Sequence, residues 1–167
     1  MLSPAASDAI PEMREIATRL RMSHFGKTVR LYAPLYISNY CTNNCEYCAF
    51  RSKFHFPRRR LSIDEVVSEA MIIRSYGITS LLLVSGEDPK EISVDFLVEA
   101  AKRLREHFSY ISIEVYPMKA DEYKRLFEAG IHGLTVYQET YDRDLYLKLH
   151  HGPKKDYDFR LDAVTRG

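Results

Sequence analysis

Three cysteines lie close together in this chain, and they are the only cysteines that it contains. Cys41, Cys45 and Cys48 follow the spacing C-x3-C-x2-C. Clustered thiolates bind zinc or iron–sulfur clusters. Electron-transfer clusters are usually closed by four cysteines. Three thiolates on a four-iron cluster leave one iron without a protein ligand, free to bind a small molecule, so the spacing predicts a cluster that takes part in chemistry.

An alternation of strands and helices must position these cysteines. Apolar residues at strand spacing occur at 31–40, 80–84, 110–116 and 133–137. Apolar residues at helical spacing occur at 11–24, 62–76, 93–108 and 120–129, and a last helix is expected from about Tyr157. Consecutive βα units predict an α/β fold with a parallel sheet, right-handed crossovers and outer helices.

The loops that follow the four strands carry the most unusual residues of the chain. These loops are 41–48, 85–87, 116–118 and 138–141. In parallel α/β folds the site is built at the carboxyl ends of the strands. The sequence therefore predicts a single active site on one rim of the sheet.

Four strands amount to only half of an eight-stranded barrel, and the first and fourth strands are expected to have unpaired edges. We therefore expect the N-terminal half of a TIM-like barrel over residues 31–167, after a helical extension over residues 1–30. Such a chain is a fragment, a truncated reading frame, or a half that needs another chain.

Composition excludes several classes of partner and site. The net charge is +1, with 24 basic and 23 acidic residues, and this balance predicts neither a nucleic-acid partner nor a membrane partner. The sequence has no apolar run near the roughly 18 residues of a spanning helix, and its first residues lack a signal-peptide pattern. We expect a cytoplasmic protein, where clustered cysteines favour metal or redox chemistry over disulfides.

The cysteine loop resembles that of the radical S-adenosylmethionine (SAM) superfamily, which has an aromatic residue before the third cysteine, as Tyr47 is here. Other segments resemble the tyrosine-lyase branch, which contains the 2-iminoacetate synthases of thiamine biosynthesis and the [FeFe]-hydrogenase maturases. The segments shared with the branch are 31–41, 84–87 and 136–141. The resemblance is closer to the 2-iminoacetate synthases, through 114–118 and 152–163.

The resemblance implies a cofactor and a reaction. Cys41, Cys45 and Cys48 are expected to hold a [4Fe–4S] cluster whose fourth iron binds SAM. An electron donor of flavodoxin or ferredoxin type is expected to trigger cleavage of SAM to a 5′-deoxyadenosyl radical. In this branch the radical starts cleavage of the Cα–Cβ bond of L-tyrosine to 2-iminoacetate and p-cresol. A thiazole synthase subunit is a further expected partner.

The resemblance also implies contacts with SAM. Gly86 and Glu87 match a glycine-rich segment after the second strand, where glycine lets the backbone approach the methionine end of SAM. Glu139 and Arg160 match a carboxylate and an arginine that contact SAM in related barrels. Tyr47 is expected to pack near the adenine.

Simpler structural explanations compete with these SAM contacts. Gly86 could serve a tight turn, since glycine adopts turn conformations easily. Glu87 could favour the N-terminus of the next helix. Glu139 could pair with Arg143 on a solvated helix, and Arg160 could be a surface residue.

Alternatives also remain for the function as a whole. The chain could be a hydrogenase maturase, an inactive barrel fragment, or a zinc-binding module with His55 as the fourth ligand. Of the two lyase families, only the maturases are expected to show a further cysteine cluster beyond Gly167. The basic stretch 51–60 could steer an anionic partner or reductant, although such runs are usually solvated loops. His150 and His151 receive no role.

Overall fold

The computed structural model describes residues 4–167, which form two compact units divided after Arg30. The first unit contains a 3-10 helix, Pro4–Ala9, and helix α1, Ile10–Phe25. A proline lies in the first turn of α1, where a backbone N–H has no helical partner to lose. The division into a helical extension and a partial barrel domain stays a prediction.

The second unit, Leu31–Gly167, is built on a four-stranded parallel sheet. Its strands are β1 (Tyr32–Ser38), β2 (Ser80–Ser85), β3 (Tyr110–Glu114) and β4 (Gly133–Leu134), in the order β1-β2-β3-β4. Each new strand is added on the same side, as in a βα barrel, whereas the strand order of a doubly wound sheet reverses. The predicted α/β fold with four parallel strands is confirmed.

Helices connect the strands and continue after the sheet. They are α2 (Ile63–Ser75), α3 (Val94–Leu104), α4 (Ala120–Ala129), α5 (Arg143–Leu149), a 3-10 helix (Pro153–Lys155), α6 (Tyr157–Leu161) and α7 (Ala163–Arg166). Helix α5 lies where the sequence pattern predicts no helix, and α6 and α7 stand where it predicts a single helix. The cap of α5 was visible, because the Asp142 side chain accepts from the Leu145 N–H at 2.9 Å. None of the helices described between residues 4 and 167 is long and apolar enough to cross a membrane.

The capping signals of α2 and α3 are formed as their sequences predict. The Ser62 hydroxyl accepts from the Glu65 N–H at 3.2 Å, and the Glu65 carboxylate accepts from the Ser62 N–H at 2.7 Å. The Ser93 hydroxyl caps α3. Gly130 ends α4 with φ at +114°, a conformation that glycine adopts without strain. These caps define where the helices that flank the sheet begin and end.

The core lies between the sheet and its helices. Alternate residues of the strands, such as Leu83 of β2 and Ile113 of β3, pack against α2, α3 and α4 through residues such as Val66 and Leu97. The strand β2 is buried on both faces over residues 80–84, as its continuous apolar run predicts.

Strands β1 and β4 differ from their predicted form. The expectation of an unpaired β1 edge is wrong at the carboxyl end, because Leu61 donates to the Ile37 carbonyl at 2.9 Å and Asn39 donates to the Arg59 carbonyl at 3.1 Å. Strand β4 is shorter than expected. Thr135 still donates to the β3 carbonyl of Ile113 at 2.9 Å, so the chain stays beside β3 for one further residue.

Candidate active site

The three cysteines lie directly after β1 and face one cavity. Cys45 is buried, and Cys41 and Cys48 are half-buried, all with free thiols. The cavity has a volume of about 170 Å³, which is room for a ligand rather than a packing defect. Its lining includes all eight residues that the sequence analysis singled out: Cys41, Cys45, Tyr47, Cys48, Gly86, Glu87, Glu139 and Arg160.

Two of the thiols are held in environments that disfavour charge. Burial is the largest cause that raises the pKa of both Cys41 and Cys45. The nearby Lys154 ammonium acts in the opposite direction on the pKa of Cys45. Iron ligands are thiolates, so cluster binding must release protons from these thiols. The Phe50 N–H donates to the sulfur of Cys48 at 3.4 Å, a contact of the type that tunes cluster potentials.

The geometry weighs against the zinc alternative. Within residues 4–167, no three or more His, Cys, Asp and Glu side chains are arranged to hold a single metal ion. His55 is exposed and does not line the cavity. Zinc needs four ligands converging on one ion. A four-iron cluster instead needs each cysteine on a different iron and no histidine, and all three cysteines line the cavity that His55 does not reach.

Gly86 lies where two backbone segments approach closely. A Cβ built on Gly86 would lie 2.2 Å from the Tyr40 carbonyl oxygen and 3.1 Å from the Cβ of Cys41. Its φ is not positive, so no left-handed backbone conformation requires glycine there. Glycine is required because the loop after β2 packs directly on the start of the cysteine loop. A contact between Gly86 and SAM stays a prediction.

The Glu87 carboxylate connects three segments of the site. It accepts from the Arg160 guanidinium at 2.8 Å and from the Asn43 amide at 2.8 Å. The backbone carbonyl of Glu87 accepts from the N–H of Thr42 at 3.0 Å and from its hydroxyl at 2.9 Å. Helix α3 begins only at Val94, so the alternative in which Glu87 favours a helix N-terminus is wrong.

Arg160 is buried, so the alternative of a surface residue is wrong. Its side chain is 5% exposed, and that of Glu87, its ion-pair partner, is 15% exposed. The Nε of Arg160 donates to the Tyr137 carbonyl at 2.6 Å. A buried ion pair is maintained only with good geometry and further hydrogen bonds, and both are present here.

Glu139 also lines the cavity, and its backbone conformation is unusual. Its φ is +71°, a left-handed conformation that is uncommon outside glycine and costs free energy. Its carboxylate pairs with the Lys154 ammonium at 3.1 Å. Arg143 instead pairs with Asp158, so the alternative pairing of Glu139 with Arg143 is wrong. The SAM contacts of Glu139 and Arg160 stay predictions.

Tyr47 forms part of the cavity wall, and its side chain contacts His150, which does not line the cavity. Its hydroxyl lies 2.6 Å from Nε2 of His150, and the Lys154 ammonium lies 5.8 Å from its ring centroid. Burial and the Glu139 carboxylate raise the pKa of Tyr47, so its hydroxyl stays protonated and can donate.

Three residues that the sequence pattern does not signal also contribute to the site: Asn43, His150 and Lys154. Asn43 bridges Glu87 and the Lys154 N–H, and Lys154 reaches both Glu139 and the cavity. Their partners are distant in sequence, and no local spacing signals them. The available hint for Lys154 was its place in the stretch 152–163, which resembles the 2-iminoacetate synthases; His150 lies just before that stretch.

Comparison with known proteins decides the family. The model of the Radical SAM superfamily matches residues 35–166. The chain belongs to the radical SAM superfamily. It is 39% identical, over 99% of its length, to the 2-iminoacetate synthase of Escherichia coli (strain K12). The chain spans only 44% of that relative's length.

Two solved radical SAM structures share this fold. The crystal structure of HydG, a maturase of the [FeFe]-hydrogenase, matches with a TM-score of 0.89 and 33% identity over 96% of this chain and 37% of that one. The crystal structure of methylornithine synthase (PylB) matches with a TM-score of 0.82 and 28% identity over 96% of this chain and 48% of that one. The fold is therefore that of part of a radical SAM barrel.

The residues present fit the cofactors of this superfamily. Radical SAM proteins in general use a [4Fe–4S] cluster and SAM. Here three free thiols line one cavity, and the same cavity is lined by two carboxylates and two cations: Glu87, Glu139, Lys154 and Arg160. Thiolates are the usual cluster ligands, and charged groups of both signs complement an amino-acid zwitterion.

Proposed function

We propose that this chain is the cluster- and SAM-binding part of a radical SAM lyase that cleaves the Cα–Cβ bond of L-tyrosine to 2-iminoacetate and p-cresol. The observation that carries the proposal is the 39% identity to a 2-iminoacetate synthase over 99% of the chain. The cavity supports it, because all eight residues expected from the resemblance line it together.

The thiols have the first role in this proposal. Cys41, Cys45 and Cys48 hold three irons as thiolates after losing their protons to solvent. When bound, the reduced cluster and SAM supply a 5′-deoxyadenosyl radical, which starts the cleavage of tyrosine. The protein binds, orients and shields the reactants while the cofactors carry the difficult step.

The charged wall has the second role. The methionine end of SAM carries an ammonium and a carboxylate, and Glu139 and Arg160 provide the complementary charges. Both side chains are already paired in the cavity, with Lys154 and Glu87 respectively. SAM binding therefore exchanges or extends existing ion pairs, which avoids leaving a buried charge unpaired.

The proposal includes partners that the cavity alone does not identify. A flavodoxin or ferredoxin supplies the electrons, and a thiazole synthase subunit receives 2-iminoacetate in thiamine biosynthesis. The reaction is expected to take place in the cytoplasm.

The experiment is anaerobic reconstitution with iron and sulfide, followed by reduction and addition of SAM and tyrosine. We expect 5′-deoxyadenosine and p-cresol, with 2-iminoacetate detected as glyoxylate after hydrolysis of its imine. Cys45→Ala is the matched control and should yield none of these, because only two thiolates remain. If 5′-deoxyadenosine forms but p-cresol is absent at every tyrosine concentration tried, the tyrosine-lyase assignment is contradicted. That result would support only the SAM-cleaving part of the proposal.

A maturase-type tyrosine lyase is the second candidate. The likeness to the HydG crystal structure favours it, with a TM-score of 0.89 and 33% identity. Both candidates predict p-cresol. They differ in the sequence expected beyond Gly167, where only the maturases should carry a further cysteine cluster. Sequencing the gene downstream of Gly167 tests this, and a further cysteine cluster there would favour the second candidate.

A further inference from the structure

Tyr47 and His150 are separated by 103 positions in the sequence, yet their side chains meet behind the cavity wall. The Tyr47 hydroxyl lies 2.6 Å from Nε2 of His150, and the two rings meet edge to face with centroids 5.4 Å apart. The contact joins the residue before the third cysteine to the segment that follows α5.

The hydrogen bond between these rings has a defined direction. Nδ1 of His150 lies 2.8 Å from the Tyr146 carbonyl oxygen, which can only accept, so Nδ1 carries the ring proton. In the neutral imidazole, Nε2 is then the acceptor and the Tyr47 hydroxyl is the donor. Burial lowers the pKa of His150 and so keeps the ring neutral.

His150 is the buried member of the pair and Tyr47 the half-exposed one. His150 is fully buried and stacks on the Tyr146 ring with centroids 3.9 Å apart. Tyr146 is itself fully buried, and its hydroxyl donates to the Lys154 carbonyl at 2.6 Å. Tyr47 is 49% exposed, so its ring would otherwise sample several rotamers.

The backbone around Tyr47 is tied to the same segment, Leu149–Lys154. Glu46 donates to the Leu149 carbonyl at 3.0 Å, and Asn44 donates to the His151 carbonyl at 2.9 Å. These backbone bonds place the loop, and the His150 side chain then orients the ring.

We propose that His150 is a positioning residue that holds the Tyr47 ring in place as a wall of the SAM site, an inference that rests on the proposed function. Tyr47 lines the cavity and His150 does not, so His150 acts through Tyr47 rather than on the ligand. Loss of the contact should weaken SAM binding and leave cluster content unchanged. The expected loss is about 2–10-fold in affinity, as for one net hydrogen bond.

The test measures iron content and SAM affinity of the anaerobically reconstituted chain, using labelled SAM in equilibrium dialysis. The variants are Tyr47→Phe, His150→Leu and the double variant, with His150→Gln as the conservative replacement that keeps an acceptor. His107→Leu, an exposed histidine distant from the cavity lining, is the control. We expect equal iron in all, weaker SAM binding in both single variants, no further loss in the double variant, and partial rescue by His150→Gln.

Equal SAM affinity in the parent, Tyr47→Phe and His150→Leu would overturn the inference while leaving the proposed function intact. Loss of iron together with affinity would also overturn it, since His150 would then hold the cluster loop itself. No SAM binding by the iron-loaded parent would overturn the proposed function and this role with it. Ring ¹⁵N NMR of the metal-free chain adds a readout independent of SAM: the Nδ1–H tautomer supports the inference, and the Nε2–H tautomer contradicts it.

Discussion

The sheet and the cysteine-bearing rim are held together by different forces. The sheet is covered by helices whose apolar residues, such as Val66 and Leu97, pack on strand residues such as Leu83. The rim is held by polar contacts, in which Glu87 and Asn43 tie together loops that are far apart in sequence. The difference teaches that core residues such as Leu83 stabilise the sheet without lining the ligand cavity, whereas the rim contacts serve both stability and ligand geometry, so a substitution at Leu83 can test stability alone.

The largest effect is expected from breaking the buried ion pair of the rim. Arg160→Met leaves the Glu87 carboxylate buried without its cation, and should lower the free energy of unfolding by about 3–5 kcal/mol. Urea denaturation of the metal-free chain measures this. Arg143→Met removes the same charge from an exposed pair with Asp158, and should change stability little. Equal losses of unfolding free energy in the two variants would show that the buried ion pair of the rim stabilises the chain no more than an exposed ion pair.

The core should respond almost as strongly, but with a different consequence. Leu83→Ala opens a cavity in the central part of the sheet and should cost about 2–5 kcal/mol in the same assay. Below its unfolding transition, the variant should still bind iron in the parent's amount, because the rim contacts are intact. The half-exposed Ile72→Ala is the control and should lose far less stability. Iron loss by folded Leu83→Ala would contradict the separation of sheet and rim.

A smaller effect is expected at Gly152, which packs against the cysteine loop. Gly152 has φ at +92°, and a Cβ on it would lie 3.1 Å from the Thr42 carbonyl oxygen and 3.2 Å from the Cα of Asn43. Gly152→Ala should cost about 1–3 kcal/mol of stability. Gly77→Ala is the matched control, since Gly77 also has a positive φ but has open space at its Cβ. A larger loss of bound iron in Gly152→Ala than in Gly77→Ala would show that the packing of Gly152 against the cysteine loop is needed for cluster binding.

The smallest effect is expected in the pH dependence of stability, which tests the buried His150 ring of the rim. Burial and the nearby Lys154 ammonium lower the pKa of His150 below 6.5, while the Tyr146 carbonyl and the Glu139 carboxylate oppose this. Unfolding therefore takes up a proton as pH falls below 6.5, so the stability is present above that pH and is lost below it. His150→Gln should flatten this part of the pH–stability curve of the metal-free chain, and the exposed His55→Gln should not. Parallel curves for the parent and His150→Gln would contradict the buried neutral ring.

Much of the sheet could be predicted from the sequence because its signals are local. The capping box at Ser62 and Glu65, the apolar run 80–84 and the glycine at 130 each act through neighbours a few residues away. Strand β4 was overestimated, because its short pairing with β3 depends on tertiary context.

The rim could be predicted only in part. The cysteine spacing and the strand-end loops identified which residues converge on the cavity. They did not show that Glu87 and Arg160 bind each other, or that His150 supports Tyr47, because these contacts join segments 73 and 103 positions apart. Side-chain hydrogen bonds of this kind have no periodicity, so only the folded chain shows them.

The central claim is that three cysteines hold a four-iron cluster with one iron open to SAM. The most direct test is ⁵⁷Fe Mössbauer spectroscopy of the anaerobically reconstituted chain, recorded with and without SAM. The account predicts about four irons per chain, of which one changes its signal on SAM addition while three do not. A spectrum that SAM leaves unchanged, or a chain that takes up zinc in place of the cluster, would contradict it.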